Sequence, residues 1–247
     1  MSIWALSDLH LAIGNPSKDM SFFGPVWEGY VEKIKSNWLE CIRPEDLVLI
    51  PGDISWAMTL EAAKIDLEWI DELPGTKLLL RGNHDYWWAS SSKMMAALPS
   101  SIHFIHNNAF YWNGVAIGGS RLWDTEEYQF NSFIQFKENS REKKTVSHPE
   151  ANRKLFQKEL ERLRLSLKCL DSSSSLRIAL THYPPIGADL APSLASSILE
   201  EFHVDICVFG HLHSVIKESL PFGEANGVRY VFASCDYLDF KPVCILK

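Results

Sequence analysis

The sequence predicts an α/β fold: two sheets stacked as a β-sandwich with flanking helices, and an active site at the carboxyl ends of the strands. Three observations predict it. The apolar runs Ile3 to Leu6, Leu47 to Ile50, Lys77 to Leu80, Arg177 to Leu180 and Ile206 to Phe209 have the length of buried strands, and each leads directly into a polar segment. Amphipathic stretches at helical spacing separate the early runs, the pattern of parallel strands joined by crossover helices. Asn113-Gly114, between Ala109-Phe110-Tyr111-Trp112 and Val115-Ala116-Ile117, is a hairpin signal that opens a second set of strands.

In chain order, Val26, Tyr30, Ile34 and Trp38 mark a first helix, and Leu60, Ala63, Lys64, Leu67 and Ile70 a second. Residues 123–147 are polar and without clear period apart from Tyr128, Phe130, Phe133 and Phe136, and read as a lid or long loop. Pro149 to Leu170 carries Leu155, Phe156, Leu160, Leu163 and Leu167, the stripe of a long surface helix that ends in the Asp171 to Ser175 loop. Tyr230 to Ala233 and Val243 to Leu246 supply later strands. The whole chain, 1–247, reads as one domain.

Composition narrows the function. A net charge of -7 argues against a basic track for duplex nucleic acid or an anionic membrane surface. It leaves room for a small anionic substrate drawn in by bound cations. The 5 cysteines are widely spaced with no Cys-x-x-Cys, which suits a reducing cytoplasm. The N-terminal apolar stretch is broken by Asp8 and His10, so no secretory signal is expected, and no apolar run is long enough to span a membrane. Oligomeric state is not encoded legibly.

The polar segments that follow the strands carry the chemistry. They are Ser7-Asp8-Leu9-His10, Pro51-Gly52-Asp53, Gly82-Asn83-His84-Asp85, Thr181-His182-Tyr183 and Gly210-His211-Leu212-His213. Together they offer Asp8, His10, Asp53, Asn83, His182, His211 and His213, a mixed oxygen and nitrogen set suited to divalent manganese, iron, zinc or nickel. Asp8 and His10 are two apart, and a strand's period of two puts both on one side, where they can share a cation. His211 and His213 repeat that spacing. A carboxylate such as Asp53 can bridge two cations about 3.5–4 Å apart.

In these segments and their order the chain resembles the calcineurin-like metallophosphoesterase superfamily. Pro51-Gly52-Asp53-Ile54-Ser55-Trp56-Ala57 and Gly82-Asn83-His84-Asp85-Tyr86-Trp87-Trp88 are similar to a bacterial group of predicted phosphohydrolases. The resemblance implies a βαβαβ core and two divalent metal ions, the first held by Asp8, His10, Asp53 and His213, the second by Asp53, Asn83, His182 and His211. It also implies that His84 approaches the leaving-group oxygen while Asp85 orients its ring.

The function this predicts is a dinuclear-metal phosphoesterase. It would hydrolyse a small phosphorylated metabolite, mono- or diester, by in-line attack of a bridging hydroxide. A non-catalytic metal-binding scaffold and a lipid-linked pyrophosphatase are the alternatives, the latter requiring an acyl channel from the aromatic residues of 128–136. Trp56, Trp87, Trp88 and Trp123 either fill core space or line a substrate pocket. Arg121 either clamps a phosphate oxygen or is a solvated surface residue. His103, His106, His148 and His203 read as packing or surface residues.

Overall fold

A computed structural model describes residues 1–135, 149–171, 173–219 and 222–247. Phe136 and residues 137–147 of the expected lid, with His148, lie outside them. The elements in chain order are β1 (Ile3–Ala5), α1 (Tyr30–Cys41), β2 (Leu47–Ile50), α2 (Leu60–Glu72), β3 (Thr76–Leu80), α3 (Ser91–Ala97), β4 (Ile102–Ile105), β5 (Phe110–Trp112) and β6 (Val115–Ser120). They continue with α4 (Pro149–Lys168), β7 (Leu176–Thr181), α5 (Leu194–Glu201), β8 (Ile206–Phe209), β9 (Glu224–Ala225), β10 (Val228–Phe232) and β11 (Val243–Leu246).

Two sheets result, ordered β11-β1-β2-β3-β4 and β5-β6-β7-β8-β10-β9. Within each, the inner strands run parallel, and antiparallel partners close both edges of the second sheet and one edge of the first. The burial of β2 shows why its sequence is apolar throughout. Leu47 and Leu49 face the layer between the sheets with Ile3, Ala5, Leu78, Ile178 and Val208. Val48 and Ile50 face the helices, packing with Tyr30, Ile34, Trp38, Leu67 and Ile70. A strand covered on both faces cannot alternate with polar residues. Helices α4 and α5 cover the second sheet in the same way through Phe156, Leu160, Leu163, Ala195 and Leu199.

Helix α1 begins later than its apolar stripe suggests. Val26, expected on that stripe, lies in a separate 3-10 turn and is 42% exposed. Gly29, in the left-handed region at φ 61°, breaks the chain between turn and helix. From Tyr30 on, each large buried side chain of α1 contributes about 1.5–3 kcal/mol of burial. Helix α3 escaped the sequence reading because it is short, with Met94 its one buried residue. Residues 123–135 form no helix or strand beyond a 3-10 turn at Asn131–Phe133 and a bridge from Ile134 to Val215. Among the described residues no helix is long and apolar enough to cross a membrane.

The loops that leave the strands are packed against one another through glycine. A Cβ on Gly82 would run into the carboxylate and amide of Asp53, and one on Gly210 into the Asp8 carboxylate. By contrast, Gly227 has φ +81° and open space around its missing side chain. Gly82→Ala is therefore expected to destabilise by about 1–3 kcal/mol through overpacking and to displace Asp53. Gly227→Ala meets only the left-handed backbone penalty of about 1–2 kcal/mol. Urea unfolding of the two variants, with metal content as a second readout, checks this; metal loss is expected from Gly82→Ala alone.

Candidate metal centre

Strand ends from both sheets converge on one point. The segments after β1, β2 and β3 bring Asp8, His10, Asp53 and Asn83, and those after β7 and β8 bring His182, His211 and His213. The chain turns sharply at these places. Asp8 (φ 60°), His10 (φ 45°), Asp53 (φ 52°) and His211 (φ 74°) all sit in the left-handed region, where a non-glycine residue is held only by its surroundings. Their amides are anchored: Asp8 N donates to Gly52 O at 3.0 Å and His10 N to Asp53 O at 2.9 Å.

This geometry corrects the reading by strand period. Asp8 and His10 lie beyond β1, so the turn rather than an alternating strand sets their direction. His211 and His213, expected on one side, point to two different groups. His213 Nε2 lies 3.0 Å from His10 Nε2 and 3.7 Å from Asp8 Oδ1. His211 Nδ1 lies 3.0 Å from Asn83 Oδ1 and 3.3 Å from His182 Nε2. Asp53 stands between the groups, with Oδ2 3.7 Å from His10 Nε2 and Oδ1 3.5 Å from His182 Nε2. The sets Asp8, His10, His213 and Asp8, Asp53, His182 each bring one ligand atom per residue within 4.8 Å of one another.

The hydrogen bonds behind the rings decide what faces the centre. His182 Nδ1 donates to the Pro51 carbonyl at 3.0 Å, which leaves Nε2 as a lone pair. That lone pair meets Asn83 Oδ1, itself an acceptor, at 2.7 Å. His213 Nδ1 donates to Asp236 Oδ1 at 3.0 Å and turns Nε2 toward His10 Nε2. The facing acceptors at His182 and Asn83 fit a cation, and the hydrogen bond behind the ring is the one that fixes a ligating tautomer.

The titration behaviour agrees. Burial, reinforced by neighbouring histidines, holds His10 and His182 well below the usual imidazole range and takes His211 down to about 3. These rings are neutral near pH 7 and can ligate. Burial pushes Asp8 up to about 6, partly opposed by His213. It also pushes Asp53 up, with Asp8 and Asp85 adding to the rise. Carboxylates crowded in a buried site favour a bound cation.

The two residues expected to be catalytic lie in different surroundings. The His84 ring lies against Trp56 (centroids 4.6 Å apart) and near His10 (5.8 Å), with its amide donating to Asp53 Oδ1 at 2.8 Å. Asp85 does not orient that ring. Its oxygens accept from the amides of Asp53 (3.0 Å), Ile54 (2.9 Å), Ser55 (3.3 Å) and Gly82 (2.7 Å) and from Trp87 Nε1 (2.9 Å), while His84 Nδ1 has no partner. Five donors leave the carboxylate no free direction toward the imidazole, so its role is to tie the β2 loop to the β3 loop.

Trp87 and Trp88 are buried in the core beside the first sheet. Trp56 stacks on His10 at 5.0 Å, and Trp123 lies beneath the Arg121 guanidinium at 4.5 Å. Arg121 is 12% exposed and reaches Glu159, so it is no solvated surface residue. Asp236 and Ser234, whose hydroxyl donates to Asp8 Oδ2 at 2.9 Å, were missed. They follow β10, and the rule that sites gather at strand ends would have found them had it been applied to the Tyr230 run.

Comparison with known proteins places this geometry in a family. The model of the calcineurin-like phosphoesterases matches residues 1–215, and the chain belongs to that family. It is 36% identical over 85 residues to the gene 66 protein of mycobacterium phage D29; that stretch is 34% of this chain and 40% of the phage protein. Among solved structures it is similar to phosphopantetheinyl hydrolase from Mycobacterium tuberculosis, at 14% identity and a TM-score of 0.49 over 98% of this chain and 95% of that one. It is also similar to a protein of unknown function from Aquifex aeolicus, at 15% identity and a TM-score of 0.48, again over 98% and 95% of the two chains.

One titration runs against the rest. Burial opposes charge on His213, but Asp236, with Asp8 and Asp53, more than offsets it and holds the ring at about 9. In metal-free protein this folded-state pKa exceeds the unfolded value of about 6.5, so the stability it contributes is complete below pH 6.5 and lost as pH rises through 9. Replacing Asp236→Asn is expected to bring the His213 midpoint, followed by NMR in chelator-treated protein, down from about 9. An unmoved midpoint would show that Asp236 is not the offsetting charge.

Proposed function

We propose that this protein is a metal-dependent phosphohydrolase acting on a small phosphorylated metabolite, mono- or diester, at a centre that takes two divalent cations. The observation that carries the reading is the facing of acceptors, His182 Nε2 against Asn83 Oδ1, beside the cluster of Asp8, His10 and His213, with Asp53 between the two groups. Asp8, His10, Asp53 and His213 would hold one cation; Asp53, Asn83, His182 and His211 the other. When bound, such cations polarise a phosphoryl group and make hydroxide available near neutral pH.

The chain's own residues supply position and hydrogen bonding. Burial, with His213 nearby, takes the His84 pKa down to about 4, so its ring is neutral at pH 7 and can offer an N–H to the departing oxygen. A cavity of about 370 Å³ opens beside His211, bounded by Trp123, Tyr128, Asn131, Asn152 and Tyr183. That is the scale of a small-metabolite pocket. The cysteines, all free, support a reducing compartment such as the cytoplasm.

Elemental analysis followed by a phosphoester panel under Mn²⁺, Fe²⁺, Zn²⁺ and Ni²⁺ tests the reading. Tight metal with no hydrolysis of any ester would favour the scaffold alternative. Asp53→Ala should empty both positions, whereas Asn83→Ala should weaken chiefly one; two metals retained by the Asp53 variant would remove its bridging role.

His84→Ala should keep its metals and lose about 10²–10⁴ in rate on poor alkoxide leaving groups, with a smaller loss on nitrophenolate. Equal losses on both would mean that His84 does not serve the leaving group.

A further inference from the structure

Where the ends of β3 and β4 in one sheet come against the end of β6 in the other, Arg81 and Arg121 border a cleft of about 30 Å³. His106, Glu159 and Arg162 complete it. Its charge is unbalanced. The Glu159 carboxylate, 2% exposed, accepts from Arg162 at 2.6 Å and from Arg121 at 3.5 Å. Arg81 is only partly exposed, yet it makes no side-chain hydrogen bond or ion pair with any described residue, and the Nε atoms of Arg81 and Arg121 are both buried without partners. Asp85, whose charge also acts on Arg81, is filled by the five donors named above. Three guanidinium groups thus share one carboxylate. His106 does not restore the balance: burial, with Arg162 and Arg81 adding to it, keeps this ring on the neutral side of its ordinary range.

Partly buried cations without partners are costly, and a planar guanidinium fork fits the oxygens of a phosphoryl or carboxylate group in pairs. The cleft has room for about two waters, so it selects a compact anion. Its place is fixed by the chain. Arg81 immediately precedes Gly82-Asn83, and the Arg121 carbonyl accepts from the amides of His182 (3.2 Å) and Tyr183 (3.0 Å). Both arginines are therefore anchored on segments that carry candidate ligands.

We propose that Arg81, Arg121 and Arg162 form an oxyanion subsite that takes a second phosphoryl or carboxylate group of the substrate. The substrate assignment rests on the phosphoester reading; the binding of an oxyanion does not. The test is thermal melting of the full chain as purified, with inorganic phosphate titrated at constant ionic strength. Any metal positions are common to all variants, so differences between variants report the cleft.

Wild type should gain roughly 3–6 °C for each tenfold of phosphate above its dissociation constant. Arg81→Met should gain distinctly less, and Glu159→Gln, which removes the shared carboxylate, more. Arg162→Met, on the helix surface, supplies the same charge deficit if Arg81→Met fails to fold. Coincident gains in all variants would overturn the subsite. In kinetics, Arg81→Met should raise the KM of an ester bearing a second anionic group more than that of its counterpart with one. A melting difference without that KM difference would mean that the cleft takes free phosphate, and would overturn the substrate assignment.

Discussion

The Asp85 carboxylate is the constraint on which the site depends. It has no access to solvent and accepts from donors on two loops, Asp53, Ile54 and Ser55 after β2 and Gly82 after β3. Desolvation of a buried carboxylate is expensive, and charge-assisted hydrogen bonds are what make it tolerable. Each donor thereby becomes fixed in place. Asp53 and Asn83, which belong to different loops, acquire a constant separation, and the left-handed turn at Asp53 is held by the same bonds. Asp66 plays a lesser part of the same kind: from α2 it binds the Ile13 amide at 2.9 Å and the Ser55 hydroxyl, joining the β1 loop to the β2 loop.

Behind those ties lies a division of labour between the sheets. The first supplies the oxygen-rich side of the centre and the second most of its imidazoles, while the layer of aliphatic side chains between them sets how far apart the two contributions stand. Interiors are packed to the density of organic crystals, so that spacing is stiff. Rings close to the centre are stiffened too, by aromatic neighbours: Tyr183 lies 3.9 Å from the His211 ring and Trp56 stacks on His10. The placing of the candidate ligands comes from this framework rather than from the loops alone.

Much of this was legible in the sequence. Strands covered on both faces leave uninterrupted apolar runs, so β2 and β8 could be read directly, and the polar segments after them marked where the chemistry gathers. Asp85 was not legible, because a carboxylate next to a histidine looks the same in sequence whether it serves the ring or the backbone. Asp236 was hidden for another reason: its partner His213 is distant in the chain, and no local pattern announces a hydrogen bond between two loops. Short helices such as α3 carry too few buried positions to show a period. The directions of His211 and His213 depend on a backbone turn that spacing cannot express.

The contact between His10 and His213 closes a span of 203 residues, and that between His182 and Asn83 a span of 99. Loops of this size close slowly relative to local structure, since their entropy must be lost before their contacts form. The centre draws on strand ends of both sheets, so it is complete only once both have formed and met. A group that binds only the assembled centre stabilises the native state while leaving the folding transition state largely untouched, so its influence falls on the rate of unfolding. Loading the centre would then act as a kinetic latch, lengthening the lifetime of a folded chain without hastening its arrival there.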